Sequence, residues 1–272
     1  MEIIADIGGT RGRWVLVDKS NNKKIETYGF NPYIHEISIL DDIKIKLKKY
    51  IDLKCITSVN YYGAGINNYN SKKIVMDSLK KSFISAKIDV FSDLLGSCRS
   101  LCNNKPGIVS ILGTGSNSCL YDGKKIINQI NSLGYLIGDE GSAYSLGKNF
   151  IKMHLRGELS TEISQNFDKI YKDEKNYLSQ IYDKNSHQWI SGLSKFIHDN
   201  KDEKSIKKMI NYHFRKFFDE IIIKYNHKKL FLTGSISYFF ENEIRDVSKK
   251  YNIEIQKVIR DPIDHLVKYH VK

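Results

Sequence analysis

The feature that most constrains this chain is a repeat. Residues 2–30 read "EIIADIGGTRGRWVLVDKSNNKKIETYGF" and residues 107–130 read "GIVSILGTGSNSCLYDGKKIINQI". Each runs through an apolar segment, a glycine-rich turn, a second apolar segment, a tight polar turn and a third segment. The glycine turns lie about 105 positions apart. Short apolar runs bounded by Gly, Asn and Asp are strand and hairpin signals. The polar turns are "SNN" at 20–22 and "DG" at 122–123. Two matching meanders predict two related lobes, because a repeat fixes architecture before any single element does. A chain of 272 residues has the length for this and can bury a sizeable core.

Helix and strand patterns alternate after each meander. Apolar spacing predicts helices over 36–50, 71–83, 92–102, 142–155, 187–199, 204–225 and 237–251. Strands are predicted over 55–65 (ending in a glycine loop), 87–91, 228–234 and 253–258, and 261–270 reads as a last helix. This order gives mixed α/β lobes. Pro32, Pro106 and Pro262 all fall between elements, and the lobe boundary is set at Pro106.

Composition excludes some partners. The net charge is +12, which invites a nucleic-acid reading, but only seven of the 43 basic residues are arginine and the lysines are dispersed. No motif interleaves basic and aromatic residues for nucleic acid, so a solvated basic surface is expected, with a modest pull on anionic substrates. No segment approaches 18 uncharged residues, so no membrane span is expected. The N-terminus goes straight into a strand with no basic and apolar leader regions, which gives a cytoplasmic expectation. Cys55, Cys98, Cys102 and Cys119 show no paired metal spacing and are expected as free buried thiols. The eight histidines carry no zinc motif. The aromatics at 177, 182 and 189 read as core or dimer surface, and Phe217, Phe218, Ile221, Ile222 and Ile223 as core.

The glycine turns carry the candidate chemistry. Glycines allow φ > 0 and let backbone N–H groups approach a ligand, and successive N–H groups form an anion-binding nest. "DIGGTR" offers the amides of Gly8, Gly9 and Thr10, the Thr10 hydroxyl and the Arg11 cation; "GTGS" offers Gly113, Thr114, Gly115 and Ser116. Two nests could grip one polyphosphate. A carboxylate beside phosphate repels it unless a metal intervenes, so Asp6 suggests Mg²⁺ held largely through water. The plain alternative is two tight hairpins. Neither the Walker pattern nor a Rossmann GxGxxG opening a helix is present.

"DIGGTRGRW", "SDLLGS", "LGTGSNS", "GYLIGDEGSAYSLGK" and "LTGSIS" occur in that order. Together they resemble the N-acetylglucosamine kinase branch of the BadF/BadG-type ATPase family, within the actin, hexokinase and Hsp70-like superfamily. The likeness spans nearly the whole chain. "GDEGSAYSLG" with its upstream "GTGSN" is its most specific part, whereas "DIGGT" alone fits other sugar kinases. The resemblance implies an α/β fold of two actin-like (ribonuclease H-like) lobes, each a mixed five-stranded sheet with helices, with an ATP cleft between them. The lobes would be 1–105, with helix 261–271 packing back on it, and 106–260. It implies ATP and Mg²⁺, a small-molecule sugar and a homodimer. By it, Asp6 to Arg11 resemble the first phosphate loop and Gly113 to Ser116 the second, and Gly234 and Ser235 match the adenosine-side motif. Asp93 falls where such kinases place the base. Asn31, Asn117, Gly134 and Asp139 fall where the family contacts an N-acetylhexosamine.

Each of these residues also has a plainer reading. Asp93 could be a helix N-cap; as a base it should be ionised at neutral pH, since a helix N-terminus favours the anion. Asp139 and Glu140 could be ordinary first-turn acids, or a carboxylate accepting two sugar hydroxyls. Asn31 could simply start the "NPY" turn, or its amide could read an acyl or ring oxygen. Ser235 and Ser237 could each cap helix 238–251. The leading function is an ATP-dependent kinase acting on the 6-hydroxyl of an amino sugar, N-acetylglucosamine first. The rivals are a kinase for glucosamine, N-acetylmuramic acid or another hexose, an activator ATPase of an acyl-CoA reductase, and a sugar-responsive binding protein.

Overall fold

The computed structural model describes residues 1–18, 22–171, 176–184 and 186–271. Ser20 and Asn21 of the predicted "SNN" turn lie outside them. The chain forms two compact units, Met1–Asn104 with Asp261–Lys272, and Lys105–Arg260.

The first unit is built on β1 (Glu2–Ile7), β2 (Arg11–Val17), β3 (Lys23–Tyr28), β4 (Ser58–Gly63) and β5 (Lys87–Ser92), in the spatial order β3-β2-β1-β4-β5. The meander β1-β2-β3 is antiparallel, and β4 and β5 run parallel to β1. β1 is apolar at nearly every position because both of its faces are covered. Ile3, Ala5 and Ile7 pack with Trp14 and Tyr61 on one face. Ile4 turns to the other with Val15 and Tyr62, as period-two alternation requires. That second face is sealed by Ile263 and Leu266 of the C-terminal helix, α12 (Ile263–His270).

The second unit repeats the plan. β6 (Gly107–Leu112), β7 (Ser116–Tyr121), β8 (Ile126–Asn128), β9 (Lys229–Thr233) and β10 (Glu254–Ile259) take the order β10-β9-β6-β7-β8. Again the meander is antiparallel and the last two strands run parallel to its first. The "DG" hairpin forms: Gly123 has φ +100°, and the Asp122 carboxylate accepts from Lys124 and Lys125 N–H at 2.7 and 2.8 Å. The apolar faces of α5 (Ala143–Leu155), α8 (Ser186–Asp199) and α9 (Lys204–Glu220) close one core with Leu112, Leu230 and Leu232.

Several elements differ from their sequence patterns. The helix expected over 36–50 is a 3-10 turn at Ile37–Leu40 followed by α1 (Asp41–Leu47). The helix expected over 204–225 stops at Glu220, where β-branched Ile221–Ile223 begin, and a 3-10 turn follows before Asn226 takes φ +48°. Of its apolar end, Phe217, Phe218 and Ile222 are buried but Ile223 is 49% exposed. The helix expected over 237–251 divides at buried Phe240 into α10 (Ser235–Phe239) and α11 (Glu241–Lys250). Neither Ser235 nor Ser237 caps: the Ser237 hydroxyl donates back to the Thr233 carbonyl at 3.0 Å. Cys98, Cys102 and Cys119 are buried, whereas Cys55 is exposed because it ends a surface 3-10 turn before β4. Tyr177 is buried and Trp189 packs on the core, but Tyr182 is 87% exposed.

Candidate active site

In each unit the candidate residues gather at the carboxyl ends of the parallel strands, where open α/β sheets bind ligands. In the first unit Asp6 is the penultimate residue of β1, pairing in register with Arg13 of β2, and Ile7 pairs with Gly12. The turn between them closes through Gly8 N–H to the Arg11 carbonyl at 3.0 Å. It is fastened from outside by Phe30 N–H to the Gly8 carbonyl at 3.0 Å and Gly29 N–H to the Thr10 carbonyl at 3.1 Å. A Cβ at Gly29 would overlap the Gly8 carbonyl oxygen and sit 2.5 Å from Arg11 N, so this close approach requires glycine.

The loop glycines serve a different purpose from the one expected. Neither Gly8, Gly9, Gly113 nor Gly115 has a positive φ. A Cβ at Gly9 or Gly113 would meet no atom within 4 Å, and one at Gly8 only Arg11 O at an ordinary 3.5 Å. Neither backbone conformation nor packing among the described residues demands glycine at 8, 9 or 113. What their missing side chains leave is open space before backbone amides. Gly9, Thr10 and Arg11 are exposed, and Arg11 forms no ion pair with a described residue.

Beneath this loop lies a charged cluster. Asp6 is only 8% exposed. The Arg13 guanidinium stands 3.8 Å from its carboxylate and 2.6 Å from that of Asp261. Burial pushes the Asp6 carboxyl up to about 7; Arg13 pulls it down, and the charges of Asp93 and Asp261 push it further up. The chain alone therefore leaves Asp6 under-neutralised. No group of three or more His, Cys, Asp or Glu side chains among the described residues is placed to hold a metal. A hydrated Mg²⁺, which takes one or two carboxylates plus phosphate and keeps several waters, fits a buried, under-neutralised single carboxylate beside a loop of open backbone amides.

Asp93 opens α3 (Asp93–Leu101), one residue beyond the row Ile7–Gly63–Ser92. It is not the cap. Ser92 takes that role, its hydroxyl accepting from Leu95 N–H at 3.2 Å. The Asp93 carboxylate accepts from Leu94 N–H at 2.8 Å. Burial outweighs that bond and raises its carboxyl to about 6, opposite to the shift expected from a helix terminus. At pH 7 it is still mostly ionised. Asn31 starts a turn, its Oδ1 accepting from Tyr33 N–H at 3.0 Å, which leaves its amide nitrogen as the group able to meet a ligand.

In the second unit Gly113 N–H donates to the Gly115 carbonyl at 3.0 Å. The loop is held by the N-terminus of α5: Ala143 N–H donates to the Gly113 carbonyl at 2.8 Å and Tyr144 N–H to the Thr114 carbonyl at 3.2 Å. Gly234, at φ +109°, lies against it so closely that a Cβ would overlap the Leu112 carbonyl. Asp139, at φ +58° and 7% exposed, lies under the same loop. Its carboxylate accepts from Ser116 N–H and stands 2.8 Å from where a Gly115 Cβ would be; burial raises it to about 6. Asn117 is committed to Ser118 N–H at 2.9 Å and the Gln129 amide at 3.1 Å. Exposed Ser235 begins α10 beside Gly234. Gly134 stands apart, on the exposed turn α4 (Gly134–Ile137), with nothing within 4 Å of its Cβ position.

Residues missed from the sequence are Gly29, Arg13 and Asp261. The register of the first hairpin could have paired Arg13 with Asp6. No local pattern joins Arg13 to an aspartate 248 positions later.

No protein-family model matches the chain, and no curated protein matches it in sequence. Solved structures do. A candidate N-acetylglucosamine kinase from Porphyromonas gingivalis superposes with a TM-score of 0.92 at 28% identity, covering 99% of this chain and 98% of that one. A candidate N-acetylglucosamine kinase from Chromobacterium violaceum gives 0.71 at 14%, covering 98% of each chain. A ROK family glucokinase from Streptomyces griseus, solved with glucose and AMPPNP, gives 0.61 at 14%, also covering 98% of each. The last two show the shared fold alone. The class is thus defined: an α/β chain of two actin-like lobes, each a mixed five-stranded sheet with helices, in the fold of sugar kinases.

Proposed function

We propose that this chain is an ATP-dependent carbohydrate kinase of the N-acetylglucosamine kinase branch, transferring the γ-phosphate to the 6-hydroxyl of an amino sugar, with N-acetylglucosamine first. One observation carries the reading. Glycines at 8, 9 and 113 that neither conformation nor packing requires sit on loops at strand ends, and the first loop stands beside buried Asp6 and half-buried Asp93, whose charge raises the Asp6 carboxyl. The 28% identity over nearly the full length of the Porphyromonas protein supports the amino-sugar assignment.

Each residue has a role under this reading. The amides of Gly8, Gly9 and Thr10 with the Arg11 cation bind phosphate oxygens, and Gly113–Ser116 are the second candidate phosphate loop. Gly234 and Ser235 border the nucleoside. Asp6 would hold Mg²⁺ through water, and when bound the ion supplies charge neutralisation to the transferring phosphoryl group. Asp93 accepts the sugar hydroxyl proton. A base near 6 suits this step, because phosphoryl transfer rests on positioning and electrostatics more than on base strength. Asn31 offers its amide nitrogen to the acyl or ring oxygen. Asn117, Gly134 and Asp139 are the remaining candidate sugar contacts; Asp139 and Asn117 also support the second loop.

The test is coupled ADP release across a panel of sugars, with and without Mg²⁺. Release with N-acetylglucosamine and not glucose is expected. Stimulation by another hexose alone would move the substrate while keeping the chemistry. No stimulation by any sugar would overturn the kinase reading.

A further inference from the structure

Helix α5 carries a second feature besides the loop it supports. Lys148, Ile151 and Lys152 of α5, with Arg156 at its C-cap, recur at helical spacing and line one face of a cavity of about 360 Å³. Ile181 and Ile190, outside α5, line it from the other side. The volume falls in the range of small-molecule sites. Ile151 and Ile190 are nearly fully buried and make an apolar floor. Lys148, Lys152 and Arg156 are exposed, and none forms an ion pair with a described residue. Lys148 instead lies with its ammonium 5.7 Å from the centre of the Tyr144 ring, which also lines the cavity. Among the described residues no carboxylate lines the space.

An ordinary solvated helix face has cations over flat, polar ground. Here three cations, of which Lys148 acts on Asp139 only at longer range, border a concave apolar floor, and their long apolar stems can line a wall while their heads stay wet. Such a site favours a ligand that is apolar at one end and anionic at the other. The apolar part gains by leaving water, and the head relieves repulsion among like charges. We propose that this cavity binds a small amphipathic anion: an aliphatic or aromatic body of about ten heavy atoms bearing one carboxylate or phosphate, in keeping with a small-molecule volume. The site touches the second glycine loop only through Tyr144, whose N–H holds the Thr114 carbonyl, and the proposal does not depend on the kinase reading.

The experiment is calorimetric titration of the full chain with octanoate, beside 1-octanol as the neutral match and octyl phosphate as the alternative head. Saturable one-to-one binding of octanoate or octyl phosphate is expected. Octanol should bind at least about tenfold weaker, and affinity should fall as salt screens the exposed cations. The triple variant K148E/K152E/R156E should lose at least about tenfold, roughly 1.4 kcal/mol. Glu and Gln are good helix formers, so α5 should persist; should the reversed variant not fold, K148Q/K152Q/R156Q carries the test with a smaller loss. No saturable binding, or equal binding of octanol, or equal binding by the charge variants would overturn the proposal. So would a fall in the mass of the unliganded protein on charge reversal, which would make the face a contact between copies.

Discussion

The two glycine loops share one strand plan and differ in what lies beneath them. In the first, four residues separate the last paired positions Ile7 and Gly12; in the second, three separate Leu112 and Ser116. One step further back, the first hairpin pairs Asp6 with Arg13, and the second pairs Ile111 with Asn117. The first loop thus stands on the buried Asp6 carboxylate, with half-buried Arg13 3.8 Å away and another carboxylate, Asp93, nearby. The second stands on apolar and neutral groups, and its acid, Asp139, arrives from a separate turn to hold a backbone amide. The strand plan and its glycine loop occur twice, the Asp6–Arg13 charge pair once. Under the kinase reading, the first unit does the chemistry and the second mostly positions.

That contrast can be broken by substitution. The largest effect is expected at the two acids. Asp93→Asn should lower sugar-dependent turnover by roughly 10²–10⁴-fold, whereas Asp139→Asn, whose amide oxygen can still accept the Ser116 N–H, should cost less than about tenfold. Equal losses would erase the division of labour. Next is Asp6→Asn in the ligand-free protein. The folded carboxyl lies near 7, above its unfolded value of 3.8, so its ionisation costs stability. The cost is absent below about pH 4, grows as pH rises towards 7, and is full above it. At one pH unit per 1.36 kcal/mol the bound is about 4 kcal/mol. Asp6→Asn should therefore raise denaturant resistance at pH 8, with the gain vanishing near pH 4, while activity is lost.

Smaller and more even effects are expected where the two halves are built alike. Gly29→Ala and Gly234→Ala each force a Cβ into a backbone carbonyl of the neighbouring loop. Both should destabilise by roughly 2–4 kcal/mol, measured by urea unfolding. Gly9→Ala meets open space, so it should leave stability within about 0.5 kcal/mol and weaken nucleotide binding instead. The smallest pair is the caps. Ser92→Ala at α3 and Ser142→Ala at α5 should each cost about 1 kcal/mol, since each hydroxyl accepts one terminal N–H.

Much of this was legible in the residues because it was local. The meanders announced themselves through glycine turns and apolar runs, and Asp6, Gly8 to Arg11 and Asp93 were marked by their place at strand ends. The rest depended on what folding brings together. Burial, outweighing the Leu94 N–H bond at the helix terminus, raises the Asp93 carboxyl, and burial is a three-dimensional quantity. Asp139 reads in sequence as a first-turn acid, yet its φ of +58° turns it under a loop more than twenty residues earlier. Gly29 looks like punctuation after a strand until the Gly8 carbonyl is found against it. The split at Phe240 follows from a side chain buried in the core, which helical periodicity does not register.

The central claim is that the under-neutralised carboxyl of Asp6 is where the first loop receives cation and phosphate. Its most direct test is calorimetric titration of the protein with Mg–AMPPNP at pH 7 in two buffers of different ionisation heat. With a carboxyl pushed up to about 7, binding should release a measurable fraction of a proton per nucleotide, because the ionised form alone receives the cation. Asp6→Asn should abolish that release. Binding without proton release, or with the same release from the Asp6→Asn protein, would contradict the account.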